Sequence, residues 1–326
     1  KIIIFAPSQA GGQDPLVRRQ RMSKHAFRGL GVALVTPFDG RGEVDYQSLR
    51  TLLNHLLKNQ ATDFIVVHGT TGESPCLTRE ERDQVTRFVI EEVAGRCPIM
   101  IGLGGNNTRE IGQRIADLDT EGIQGILSVV PYYNKPSQEG IYQHFAHLAR
   151  CSRLPIVLYN VPGRVGVNMA SDTVVRLARD FDNIIGVKEA SGFPQQAGQI
   201  TSAELPEDFV VLSGDDALSV AFMQQGAQGV ISVVGNAFPQ LTSELIHLAM
   251  EQKYPEADMI QTEMQQVNTL LFQEGNPAGI KALLLEMGLI ASEQLRLPLV
   301  PVSEELKAKL GQAAQSLIHY EQGRKG

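Results

Sequence analysis

From Gly29 onward the chain repeats one unit. A short, β-branched apolar run is followed by a turn rich in Gly, Pro or Asn, and then by apolar residues at helical spacing. The runs cover residues 32–37, 64–68, 99–103, 125–131, 156–159, 184–188, 210–214 and 230–234, and their starts lie 20–35 residues apart. That interval suits one strand plus one helix. The runs are apolar throughout rather than alternating, which is the pattern of strands covered on both faces. Eight such units predict a (β/α)₈ TIM barrel, an α/β fold whose usual size is about 250 residues. A doubly wound open sheet is the rival, but no G-x-G-x-x-G follows the first run, so dinucleotide binding finds no support.

Helix signals fall between the runs. Thr78 with Glu81 reads as a capping box, Val85, Phe88, Val89 and Val93 share a helical face, and Gly95 can end it. Ser137 opens a second helix carrying Ile141, Phe145 and Leu148. Beyond about Gln252 the strand runs stop, and 256–273, 277–288 and 303–320 read as helices. The expected organisation is an N-terminal extension at 1–28, a catalytic barrel at 29–252 and a C-terminal helical appendage at 253–326. Residues 1–21 read as an upstream extension, with a short edge strand as the alternative; their apolar start is shorter than a signal-peptide core of roughly 7–15 residues.

Composition narrows the function classes. With 29 basic and 36 acidic residues, a net charge of −7 and no Lys/Arg cluster, the chain offers no footprint for a phosphate backbone, so no nucleic-acid partner is expected. No apolar run approaches the roughly 20 residues of a membrane span. Cys76, Cys97 and Cys151 are odd in number and form neither a disulfide framework nor a zinc pattern, which points to a cytoplasmic setting. His144 and His147 could be half of a metal site, but no carboxylate has suitable spacing; a solvated helix face is the expected reading, and no metal is predicted.

In such barrels the chemistry sits where strands end. The second run ends in His68-Gly-Thr-Thr-Gly-Glu-Ser74, the fourth in Pro131-Tyr-Tyr-Asn-Lys-Pro136, the fifth in Tyr159-Asn-Val-Pro-Gly-Arg164, and the sixth carries Lys188 inside an apolar strand. Desolvation disfavours an ammonium and favours the neutral amine that attacks carbonyls, as in Schiff-base enzymes. The competing reading is a Lys188–Glu189 surface pair. Hydroxyls and phenols at three other strand ends favour the first, because imine chemistry needs proton shuttles and carboxylate-binding donors.

These segments, together with Val187-Lys-Glu-Ala190 and Ser213-Gly-Asp-Asp216, resemble the 4-hydroxy-tetrahydrodipicolinate synthase (dihydrodipicolinate synthase) family of the pyruvate-dependent class I aldolase superfamily. The resemblance runs from about Gly29 to Leu310, with the motifs in the family's order. It implies a lyase of lysine and diaminopimelate biosynthesis that condenses pyruvate with L-aspartate-4-semialdehyde and uses no cofactor. It also implies a homo-oligomer, expected as a tetramer built as a dimer of dimers. Carried over residue by residue, it makes Lys188 the Schiff-base lysine and Tyr159, Thr70 and Tyr133 the proton relay, with Tyr133 lent by a neighbouring subunit. Thr71 then binds the pyruvate carboxylate, Arg164 holds that of the semialdehyde, and Gly214 and Ile231 line the site. Ser74, Asn106, Glu110 and Tyr132 match an effector site. Lysine-inhibited relatives often carry a histidine where this chain has Arg82 and another basic or polar residue near Arg79; Arg82 and Pro75 do not match that inhibited form, and Ala278-Gly279 is smaller than the residues common after Asn-Pro. Two alternatives stand beside this reading: a retro-aldol lyase of a sugar acid such as N-acetylneuraminate or 2-keto-3-deoxygluconate, and a non-catalytic keto-acid-binding barrel.

Overall fold

The computed structural model describes residues 26–323; the expectations for residues 1–25 lie outside that range. In chain order the elements are β1 Gly29–Ala33, α1 Tyr46–Leu56, β2 Phe64–Val67, α2 Arg79–Val93, β3 Ile99–Gly102, α3 Thr108–Ala116, β4 Gly125–Val129, α4 Gln138–Cys151, β5 Ile156–Asn160, and α5 Pro162–Val165. They continue with α6 Ser171–Asp180, β6 Ile184–Glu189, α7 Pro194–Thr201, β7 Val210–Ser213, α8 Ser219–Gln224, β8 Gly229–Ser232, α9 Pro239–Met250, α10 Tyr254–Gln273, α11 Ala278–Glu286 and α12 Glu304–Gly323. The strands form a closed barrel in sequence order, all parallel, with β1 paired to β8. This is the TIM barrel that the eight repeats predict. Closure removes sheet edges, and helices cover the outer face, which is why the strands are buried along almost their whole length.

Local chemistry sets the helix starts. Thr78 and Glu81 form the expected capping box at α2, Asp45 caps α1, Asn107 caps α3 and Ser137 caps α4. The Ser303 hydroxyl accepts the Leu306 N–H at 3.2 Å and donates to the Glu274 carboxylate at 2.6 Å, tying the start of α12 to the end of α10.

Three local expectations are corrected. The first strand is Gly29–Ala33, not 32–37. The Leu34 N–H still donates to the Val66 carbonyl at 3.0 Å, and beyond it a side chain takes over: Asn236 accepts the Val35 N–H at 3.3 Å and donates to the Ala33 carbonyl at 2.8 Å, and Pro37 has no N–H to offer. Phe27, within the segment expected to be an extension, is 2% exposed and packs edge-on against Phe64 with ring centroids 5.4 Å apart, so it belongs to the core. His144 is not on a solvated face. It is 3% exposed, its Nδ1 lies 2.8 Å from the Thr108 hydroxyl, and burial lowers its pKa to about 4, whereas His147 is exposed. Among the described residues no group of three or more His, Cys, Asp or Glu could hold a metal. Nor is any described helix long and apolar enough to cross a membrane. The three cysteines are free and half-buried.

Candidate active site

Lys188 and Tyr159 are placed side by side by a defect in the sheet. The register pairs Ile156 with Ile184 but Val157 with Gly186, so β6 carries one extra residue, Ile185. Without it Tyr159 would face Val187; with it Tyr159 faces Lys188. Lys188 Nζ lies 4.5 Å from the centre of the Tyr159 ring, and each residue is 7% exposed. Gly214 leaves room for the lysine stem: a Cβ there would come within 2.9 Å of Lys188 Cε.

The surface-pair reading of Lys188 and Glu189 is overturned. Successive strand residues point to opposite faces, and Glu189 is fully buried in a separate polar network. Its carboxylate accepts from Asn160 Nδ2 at 3.0 and 3.2 Å, from the Ser191 N–H at 2.8 Å and from Gln196 Nε2 at 2.9 Å. Burial raises the Glu189 pKa against those four bonds. Lys188 has no carboxylate partner among the described residues, so its amine is buried without a counter-charge.

Tyr159 also lines a cavity of about 300 Å³, together with Thr70, Ser74, Tyr132, Arg164 and Arg82, among others; Lys188 lies behind Tyr159 and is not itself part of the lining. Thr70 and Thr71 sit in a single helical turn, Thr70–Gly72, closed by Glu73 in the left-handed region at φ 52°. The buried Glu73 carboxylate accepts from Lys281 on α11 and, at 3.1 Å, from the Arg296 N–H. His68, also left-handed at φ 60°, joins β2 to α2: its Nε2 lies 3.0 Å from the Arg82 carbonyl and 2.8 Å from the Thr86 hydroxyl. Burial lowers its pKa to about 4.

Arg164 lies in the one-turn helix α5, begun by Pro162 and ended by Gly166 at φ 80°; it is exposed, lines the cavity and has no ion-pair partner among the described residues. Ile231 is buried in β8, and Asp216 sews β7 to the chain after β8 by accepting the Val233 and Val234 N–H groups at 2.8 and 3.0 Å. Of the predicted catalytic and substrate-binding residues only Thr70, Tyr159 and Arg164 line the cavity; Lys188, Thr71, Gly214 and Ile231 are buried or packed behind it, and Tyr133 faces solvent. It is 90% exposed on a left-handed residue at φ 73° and does not line the cavity, whereas its neighbour Tyr132 does.

The four candidate effector residues divide. Ser74 and Tyr132 line the same cavity, Asn106 donates to the Tyr132 carbonyl at 3.3 Å, and Glu110 sits in the first turn of α3. Glu110 lines an adjacent groove of about 540 Å³ with Arg79, Arg82, Arg109 and Arg114. Arg82 is turned inward: its Nη1 donates to the Ser74 and Leu77 carbonyls at 3.1 and 3.2 Å, and burial followed by nearby Arg114 lowers its pKa.

Comparison with known proteins agrees with the fold. The model of the dihydrodipicolinate synthetase family matches residues 26–317. A relative from Porphyromonas gingivalis named 4-hydroxy-tetrahydrodipicolinate synthase is 53% identical over 283 residues, covering 87% of this chain and 95% of the relative. The crystal structure of dihydrodipicolinate synthase from Aquifex aeolicus superimposes with a TM-score of 0.85 at 41% identity, covering 89% of this chain and 98% of that one. The enzyme from Cyanidioschyzon merolae, solved with lysine bound, gives a TM-score of 0.85 at 38% identity over 90% of this chain and 99% of that one. With its closed barrel, its paired strand lysine and tyrosine and matches over nearly all the described residues, the chain belongs to the dihydrodipicolinate synthetase family.

Proposed function

We propose that the chain condenses pyruvate with L-aspartate-4-semialdehyde to 4-hydroxy-tetrahydrodipicolinate, with Lys188 as the covalent catalyst. The observation that carries this reading is the buried Lys188 amine, free of any carboxylate partner among the described residues and set against the ring of Tyr159, which lines the cavity. The amine adds to the pyruvate ketone and water leaves, giving an imine. Loss of a methyl proton gives the enamine, which attacks the aldehyde carbon. The amino group of the semialdehyde then adds to the imine carbon, the Lys188 amine departs, and the ring closes. Thr70, Tyr159 and Tyr133 shuttle protons, and Thr71 receives the pyruvate carboxylate. Gly214 and Ile231 form part of the wall.

Arg164 favours the semialdehyde over a sugar acid. An unpaired guanidinium at the cavity mouth suits a second carboxylate, whereas a sugar chain calls for hydroxyl-reading groups. A coupled assay with pyruvate and aspartate semialdehyde, run beside sialic acid and ketodeoxygluconate cleavage, tests the reading. Turnover only of the first pair is expected; cleavage of a sugar acid without condensation contradicts it. Arg164→Ala is expected to trap pyruvate normally while kcat/KM for the semialdehyde falls by about 2–4 kcal/mol of transition-state binding.

The chain works as a homo-oligomer whose smallest active unit is a dimer, the tetramer being a pair of such dimers. The exposed Tyr133, held away from its own cavity, supports this. Mixing Tyr133→Phe with Lys188→Ala subunits is expected to restore part of the activity, because in a mixed dimer one site carries both lesions and the other neither. No recovery after confirmed subunit exchange contradicts the shared site.

L-Lysine is expected to inhibit weakly or not at all. Its two ammonium groups would meet Arg79, Arg82, Arg109 and Arg114, with Glu110 and Asp117 as the carboxylates of the groove. Like charges about 4–6 Å apart cost roughly 1 kcal/mol or more in a partly desolvated pocket. A titration of wild type and Arg82→His checks this: submillimolar inhibition of the wild type contradicts it, and sensitivity gained only in the histidine variant supports it.

A further inference from the structure

The Thr71 hydroxyl is held from outside the barrel. Asn276, between α10 and α11, is 8% exposed, and its Nδ2 donates to Thr71 Oγ1 at 3.0 Å. Thr71 is 3% exposed, and no acceptor for its hydroxyl proton lies within hydrogen-bond distance among the described residues. A threonine hydroxyl has one proton and two lone pairs. With an amide N–H on one lone pair, the oxygen is polarised and its proton remains free to donate to a third group. The Asn276 Oδ1 is buried and has no partner among the described residues, so the side chain is spent on this one contact.

The chain around Asn276 is built to bring it there. Gly275 takes φ 101°, a turn that side chains rarely adopt. A Cβ on Gly279 would collide with the Leu271 carbonyl, so a small residue lets the start of α11 fold back against the end of α10. The small Ala278-Gly279 pair after Asn-Pro thereby acquires a physical reason. One turn further along α11, Lys281 grips Glu73, two residues beyond Thr71. The C-terminal helices therefore hold the Thr70–Gly72 turn at two points, one neutral and one ionic.

We infer that Asn276 is a positioning residue for pyruvate: it fixes Thr71 as a hydrogen-bond donor to the substrate carboxylate. The inference rests on the reading that Thr71 binds that carboxylate. Asn276 itself touches no substrate in this account; it acts through Thr71. The neutrality of the amide is part of the role, because a carboxylate at the same place would take the Thr71 proton and repel the incoming anion.

The test is steady-state kinetics of Asn276→Ala, Asn276→Asp, Thr71→Val and the Thr71→Val/Asn276→Ala double variant, with the pyruvate dependence of borohydride trapping and thermal melting measured on each. Asn276→Ala is expected to raise the pyruvate KM and the half-trapping concentration about tenfold, with KM for the semialdehyde within about twofold. Asn276→Asp, of nearly unchanged shape, is expected to raise both further. In the Thr71→Val background the alanine change is expected to add nothing to the pyruvate KM. If Asn276→Ala does not fold, the aspartate variant carries the test alone. An unchanged pyruvate KM in the Asn276 variants, while Thr71→Val raises it, overturns the inference and leaves the role of Thr71 standing. An unchanged KM in Thr71→Val overturns that role and the inference with it. A fall in melting temperature with equal losses in every kinetic constant, additive in the double variant, marks Asn276 as structural only and also overturns it.

Discussion

Lys281→Met is expected to lower the unfolding free energy by about 3–5 kcal/mol, although position 281 lies outside the barrel and nothing assigns it a part in the chemistry. Lys281 and Glu73 are both buried with no side-chain exposure, their charged atoms 2.5 Å apart, and Lys281 also donates to the Gln294 carbonyl at 2.9 Å. Burial pulls the Lys281 pKa down while Glu73 pulls it up, and the direct contact of the two groups is that of an ion pair. Methionine fills a similar volume but leaves the Glu73 carboxylate buried with the Arg296 N–H as its remaining donor. An uncompensated buried charge costs more than the pair ever contributed, because desolvation is no longer offset. The double variant Glu73→Gln/Lys281→Met is therefore expected to recover most of the loss. Denaturant unfolding of the three proteins checks this. A single-variant loss below about 1 kcal/mol, or a double variant no better than the single, contradicts the account.

Lys188→Ala carries the other large effect. If Lys188 is the nucleophile proposed above, its removal removes the covalent route itself, so kcat is expected to fall on the order of a thousandfold or more, with little change in stability. The stability expectation follows from the surroundings. Lys188 makes no ion pair among the described residues, and the neighbouring Glu189 is already satisfied by Asn160, Ser191 and Gln196. Unlike Lys281, this lysine can be removed without stranding a partner. On the proposed mechanism the two buried lysines separate, one structural and one chemical, by whether a carboxylate answers them.

That distinction was only half legible in the sequence. Periodicity revealed the barrel because strands covered on both faces must be apolar throughout, and the capping box at Thr78 and Glu81 needs only local contacts. Lys188 stood out as the one cation inside such a strand. Its alignment with Tyr159 was invisible, since it depends on the extra residue Ile185, and a bulge in a parallel pair leaves no local composition signal. The same holds for Asn276 and Lys281. They reach Thr71 and Glu73 across 205 and 208 residues of chain, and the only trace in the sequence was the small Ala278-Gly279 step after Asn-Pro. The first strand was displaced because Leu34, Val35 and Phe38 are as apolar as the strand before them. Their backbone is satisfied partly by the Asn236 side chain, a partner 201 residues distant. His144 was misplaced for a related reason: a histidine buried neutral beside a threonine has the same local spacing as one facing solvent.

The central claim is that the Lys188 amine forms an imine with pyruvate. Incubation with pyruvate, reduction with borohydride and peptide mapping by mass spectrometry tests it most directly. A single reduced pyruvyl addition on Lys188, absent from Lys188→Ala and retained in Arg164→Ala, is the expected result; addition at another lysine, or none in the folded wild-type protein, contradicts the mechanism.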